Sequence, residues 1–152
     1  MAVFSDYLTN QIVDHLFRSA AFAKPSTLAI ALCTAAPVKT DTGALTGKEV
    51  ANAFSYARVA LNPSNTNWVA TQGGTSGASS GSGGLTSNVG TVTLVTASGG
   101  SWGTVTHVAL VDSTTYGAGN LLCFGALTTP RVVLDGDGFV FNASQLQIKI
   151  DN

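Results

Sequence analysis

Charge is what this sequence has least of. Its 152 residues carry seven basic and eight acidic side chains, a charged content of 10% and a formal charge of −1. Soluble proteins average roughly 25% charged residues, so the surface here falls to Ser, Thr, Gly and Asn, and long charged disordered tails are excluded. A balance so even and so sparse cannot neutralise a row of phosphates, which excludes nucleic acid as a partner. Long apolar runs are missing too. No stretch approaches the ~20 consecutive apolar residues of a membrane-spanning helix, and residues 1–6 lack the basic region and apolar run of a secretory leader. The expectation is a soluble chain made in the cytoplasm, with no membrane partner and one core, residues 1–152 forming a single domain.

Cysteine and histidine are equally scarce. Cys33 and Cys123 lie far apart, each flanked by apolar residues in strand-like segments, the setting of buried free thiols. Two cysteines and two histidines without close spacing do not make a zinc site, and no cofactor is expected. Glu49 is the only glutamate. His15 and His107 have no nucleophile and orienting carboxylate in an evident constellation, so both read as hydrogen-bonded structural residues. The residue supply points away from acid–base catalysis and from an enzyme.

The pattern that is present is mainly β. Ser5 can cap a helix, Asp6 favours its positive end, and Leu8, Ile12 and Leu16 recur at four-residue spacing with Val13 and Phe17 beside them, which predicts an amphipathic helix over 5–18. Pro25 blocks further helix, and 26–33 reads as a strand with both faces covered. Residues 35–50, with Pro37, Gly43 and Gly47, read as an exposed loop, and 54–61 as a strand ended by Pro63. From 68 to 88 the chain is Gly, Ser and Thr around Leu85, too poor in apolar area to offset ~1–2 kcal/mol of backbone entropy per ordered residue, so a flexible arm is expected. Short Thr- and Val-rich runs follow at 90–96, 103–111, 121–127, 131–134, 139–141 and 145–150. In the last, Leu146, Ile148 and Ile150 alternate with polar residues, predicting one core-facing side. The fold class expected is an antiparallel β-sandwich, with a jelly roll as one form it can take, and an N-terminal helix covering one end or one sheet.

Individual motifs are weak. Residues 77–81 match a nucleophile elbow around Ser79, but the flanking strand and helix are missing and the match sits in a Gly/Ser run where it arises by composition. Asp135 and Asp137 between glycines suit a tight hairpin better than a calcium loop, because no later acidic ligands follow. Trp68, Trp102, Phe54 and Tyr56 could form a sugar platform on one face, although packing is the commoner use of such rings. The 35–50 loop and the 68–88 arm have no evident internal core to serve. They therefore supply the contact candidates: Pro37, Thr40, Thr42 and Leu45 in the loop, Trp68, Val69 and Leu85 in the arm, and Trp102 beyond it, with the helix second.

The order of segments is more specific than any motif. The 5–18 helix, the 28–34 strand leading into Ala36 and Pro37, the triplet Tyr56, Ala57, Arg58, the run from Trp102 to His107, and Gly119 to Leu122 followed by Phe124 to Leu127 together resemble a family of small β-rich virion structural proteins of tailed bacteriophages. Members include tail-fibre-like proteins and capsid decoration or cement proteins. The resemblance implies a non-enzymatic virion protein that works as a homo-oligomer, in the first reading a trimer that cements the head shell against the major capsid protein. In the second reading it is a tail-fibre component that meets tail proteins or host surface polysaccharide. Exposed strand edges and an extended arm are adhesion elements in such an assembly.

Overall fold

The computed structural model describes residues 2–150. Its strands make one five-stranded sheet and two two-stranded ribbons, all antiparallel. The sheet is built from β1 (Val3–Phe4), β2 (Ala29–Cys33), β3 (Val59–Ala60), β6 (Gly103–Val111) and β7 (Leu121–Val133) in the order β1-β7-β6-β2-β3. The ribbons pair β4 (Leu85–Ser87) with β9 (Gln147–Lys149), and β5 (Val92–Thr93) with β8 (Val140–Phe141). One helix, α1 (Asp6–Phe17), follows β1. The expected class, an antiparallel sandwich-like β protein with a helix near its start, is the observed one.

β2 is the centre of the sandwich, with all five residues buried. Period-two alternation sends Ile30 and Leu32 to one face, where they meet Val92, Leu94, Phe139 and Phe141 of the β5–β8 layer. Ala29, Ala31 and Cys33 point the other way, against Leu45, Ala109, Val111 and Leu121. That second face carries small side chains, so a loop can lie close to it. Leu45 fills the space, at a backbone φ of 44° that bulky residues avoid. Burying its side chain, at about 1.5–3 kcal/mol, offsets a strain of about 1–3 kcal/mol. The 35–50 segment, read from sequence as an exposed excursion, therefore has an inside: Pro37, Leu45, Glu49 and Val50 are buried.

Other expectations need correction. The strand predicted over 54–61 shrinks to Val59–Ala60, because Phe54 and Ser55 adopt φ of 53° and 63° and turn the chain. The runs at 121–127 and 131–134 are one strand, β7. Its pairing with β6 slips between Val105↔Arg131 and His107↔Ala126, so residues 127–130 bulge where Pro130 has no N–H to offer. The 135–138 turn forms, with Gly136 at φ 86° and Asp137 Oδ2 accepting the Leu134 N–H at 2.9 Å, yet it joins strands of different sheets and is no hairpin. Ile150 is exposed, so the core-facing alternation of the last run ends before it. Helix α1 starts as predicted: Ser5 Oγ accepts the Leu8 N–H at 3.1 Å. Its contacts run to β7 and none of its residues is buried, so it covers neither an end nor a sheet in the way expected.

The ends of the Gly/Ser-rich stretch are tied in. Trp68 bridges to Asn88, and Asn88 is fully buried. Its Nδ2 donates to the carbonyls of Gly90 (2.7 Å) and Asn142 (2.9 Å), and its Oδ1 accepts the Leu146 N–H at 2.8 Å. Asn88→Ala leaves these backbone groups without partners and is expected to cost about 2–4 kcal/mol of stability. Urea unfolding of the variant against the parent measures it.

Candidate interaction surface

The one glutamate of the chain lies inside it. Glu49 and Arg58 form an ion pair whose side chains have no solvent exposure. Arg58 grips the carboxylate with two parallel bonds, Nε to Oε1 at 2.8 Å and Nη2 to Oε2 at 2.7 Å. Such fork-to-fork pairing has the geometry needed to compensate the desolvation of two charges. Tyr56 completes it: its hydroxyl donates to Glu49 Oε1 at 2.9 Å and accepts the Leu32 N–H of the central strand at 2.9 Å. Burial, then the neighbouring Glu49 charge, pushes the Tyr56 phenol well above its ordinary range. The chain positions the three groups simply. Tyr56 and Arg58 lie two apart in an extended segment and face the same way, while Glu49 is placed by an antiparallel bridge to Cys33.

The remaining N–H groups of Arg58 lace two surface loops together. Nη1 donates to the carbonyls of Ser113 (3.1 Å), Thr115 (2.9 Å) and Ala118 (2.9 Å), all in the β6–β7 connection. Nη2 donates to the carbonyl of Gly43 in the other loop. The loops also bond directly, Gly43 N–H to Gly119 O at 3.0 Å. They touch so closely that a Cβ on Gly43 would stand 2.4 Å from Ala118 O, which only glycine avoids. Tyr116 crowns the result. Its ring lies edge-on to Tyr56 at 6.4 Å, with the Arg58 guanidinium 6.0 Å from its centroid, while 39% of the residue stays exposed. Lys48 and Asp41 tie the base of the first loop. Burial opposes the Asp41 charge, but hydrogen bonds from Lys48 and the Val38 N–H outweigh it and hold the carboxyl below its usual range. The surface is neutral, rich in hydroxyls and rigid, which suits recognition by shape and hydrogen bonding.

The contact candidates from sequence scatter around this feature. Thr40 and Thr42 are exposed on the first loop, whereas Pro37 and Leu45 beside them are buried. Trp68 and Val69 are half-buried at the root of the arm, where Trp68 Nε1 donates to Leu61 O at 3.1 Å, and Leu85 is 39% exposed. Trp102 is core: it packs edge-to-face on Tyr56 at 5.3 Å and its Nε1 donates to Phe54 O at 3.0 Å. A single aromatic platform of Trp68, Trp102, Phe54 and Tyr56 therefore does not exist, because two of the four rings face inward. Tyr116 and Arg58 organise this candidate surface, and motif reading singled out neither for it. A lone arginine two residues after a tyrosine carries no signature by itself, although the scarcity of charge is the signal that each one present has work.

The histidines are bonded locally, His107 Nδ1 to Thr106 Oγ1 at 2.8 Å and His15 Nδ1 to the Phe22 N–H at 3.2 Å. Ser79 Oγ accepts the Thr71 N–H at 3.3 Å within the arm, away from any strand-to-helix turn. Both cysteines are free and buried, as expected.

Compared with known proteins, residues 3–149 match the family model described as Podophage GP4 fiber I protein gp80. Among the curated proteins nothing matches.

Two outcomes follow from the buried groups. Arg58→Met strands the Glu49 charge and is expected to cost about 3–5 kcal/mol. Arg58→Lys keeps the charge but cannot fork, so hydrogen exchange should rise over 113–118 in both variants and stay slow in β2. The thiols give a pH test. Burial pushes Cys123, and burial with the Glu49 charge pushes Cys33, up to about 12 from 9.0. The folded chain keeps its thiol protons where the unfolded chain loses them, so stability should fall as pH rises above 9.0, by about 1.4 kcal/mol per unit for each thiol. Denaturation midpoints of the parent and a Cys33→Ala, Cys123→Ala chain across that range measure the difference.

Proposed function

We propose that this chain, which belongs to the Podophage GP4 fiber I protein gp80 family, serves the virion as a tail-fibre subunit that acts as a homo-oligomer and turns its laced loops outward. The family is one of phage structural proteins rather than an enzyme class, which makes the chain a virion component. The fibre role rests on the family's description, and the oligomer on helix α1. Helices of about 12–15 residues are marginal alone in water, and α1 has 12 with none buried. Leu8 and Ile12 are half-buried, but the apolar residues towards its end stand open, Val13 at 44%, Leu16 at 64% and Phe17 at 80% exposed. Copies that bring these stripes together, as a trimer does around its axis, bury what a single copy leaves wet.

A fibre subunit also needs a face that survives outside the cell. The Arg58-laced loops supply a rigid, neutral face of hydroxyls around Tyr116, chemistry suited to bacterial surface sugars.

Light scattering on the purified chain should give a mass three times that of one copy, and Phe17→Glu with Leu16→Asp should leave folded single copies. Gold-labelled antibody against the chain should mark the tail in micrographs of intact particles. Label on the head shell would instead support a cement role against the major capsid protein and overturn the fibre assignment.

A further inference from the structure

The sandwich is open along one margin. Between β6–β7 and the segment from β8 to β9 runs a groove of about 640 Å3. Its deeper part is apolar, with Val108, Leu110 and Phe141, and its exposed residues include Thr129, Gln147 and Arg131. Among the described residues, Arg131 is the one charged residue lining it, and none of their carboxylates does. The guanidinium is already oriented: it stacks over the Phe139 ring at 5.2 Å, and Nη2 donates to Gly138 O at 2.8 Å. Its other N–H groups are left for a ligand. Gln147 is likewise fixed, Nε2 donating to Ser144 O at 3.2 Å, so its Oε1 remains an acceptor.

We propose that this groove binds an acidic oligosaccharide, a deepening that rests on the reading of the chain as a host-contacting fibre subunit. A cation without a neighbouring acid complements one carboxylate per bound unit, and arginine meets a carboxylate with a forked pair of bonds. Amide and hydroxyl groups at the rim match sugar hydroxyls, and the apolar floor takes the C–H face of a ring. An added polypeptide strand fits less well. Beyond Phe124 the outer edge of β7 has no strand partner among the described residues, but the 127–130 bulge at Pro130 breaks the ladder such a strand would need.

Titration calorimetry of the assembled chain with hexagalacturonate, and with maltohexaose as the neutral counterpart, tests the proposal. The acidic sugar should bind, more weakly as salt rises, and the neutral one at least tenfold less tightly. Arg131→Gln should weaken hexagalacturonate binding about tenfold or more, as loss of a charge-assisted contact does. Thr129→Glu, at an exposed position, should weaken it similarly by repulsion with an unchanged unfolding midpoint. Equal affinity for the two sugars, no binding, or binding indifferent to both substitutions overturns the site. So does hydrogen exchange showing the groove covered by a second copy in the oligomer. If the site fails while the protein still marks the tail and adheres to host cells, the fibre assignment stands. A head location overturns that assignment whatever the calorimetry gives.

Discussion

The fold's outer organisation depends on one buried ion pair. Glu49 and Arg58 are withdrawn from water completely, and a charge in that position is tolerable only when every hydrogen-bonding site is used. The carboxylate takes three bonds, two from Arg58 and one from Tyr56. The guanidinium spends what is left on main-chain carbonyls of two loops. Completing the coordination of one arginine thus fixes the course of two segments that have no regular secondary structure. Tyr56 links the same cluster to the central strand, so the loops inherit the rigidity of the sheet.

This arrangement explains how so few charges suffice. Exposed ion pairs contribute little, about 0–1 kcal/mol, and the one on α1 between Arg18 and Asp14 is of that kind. The charges that shape the molecule are withdrawn from water, fully for Glu49 with Arg58 and partly for Lys48 with Asp41 at the loop base. Elsewhere neutral groups do comparable work. Asn88 organises the turn at 142–146 from inside, and Ser5 both caps α1 and reaches the start of β7 through its hydroxyl.

Local patterns in the sequence foretold local structure well. The Ser5 cap with its apolar four-residue spacing, the buried run at Ala29–Cys33 and the Asp-Gly turn all appear where propensity and period place them, since each is decided by neighbours in the chain. What depended on distant partners was hidden. No pattern near Leu45 announces that it plugs a sheet face lined by Ala31 and Ala109. Nothing around Phe54 marks a left-handed turn, because its reason is the Trp102 indole that bonds its carbonyl from 48 positions away. Strand order was closed to inspection for the same cause. The resemblance to phage virion proteins was legible through the Trp102 to His107 and Gly119 to Leu122 runs, one a strand of the large sheet and the other its partner's beginning.

The hydrogen bonds by which Arg58 holds the β6–β7 connection all go to backbone oxygens, and this has an evolutionary consequence. Those bonds do not register which side chain residue 114 carries, only where the main chain runs. Selection can therefore rewrite the tip, one codon at a time, while the scaffold beneath stays as it is. Support and outward face are thereby separated: one arginine sets the path of the main chain, and the side chains along it are left open to change.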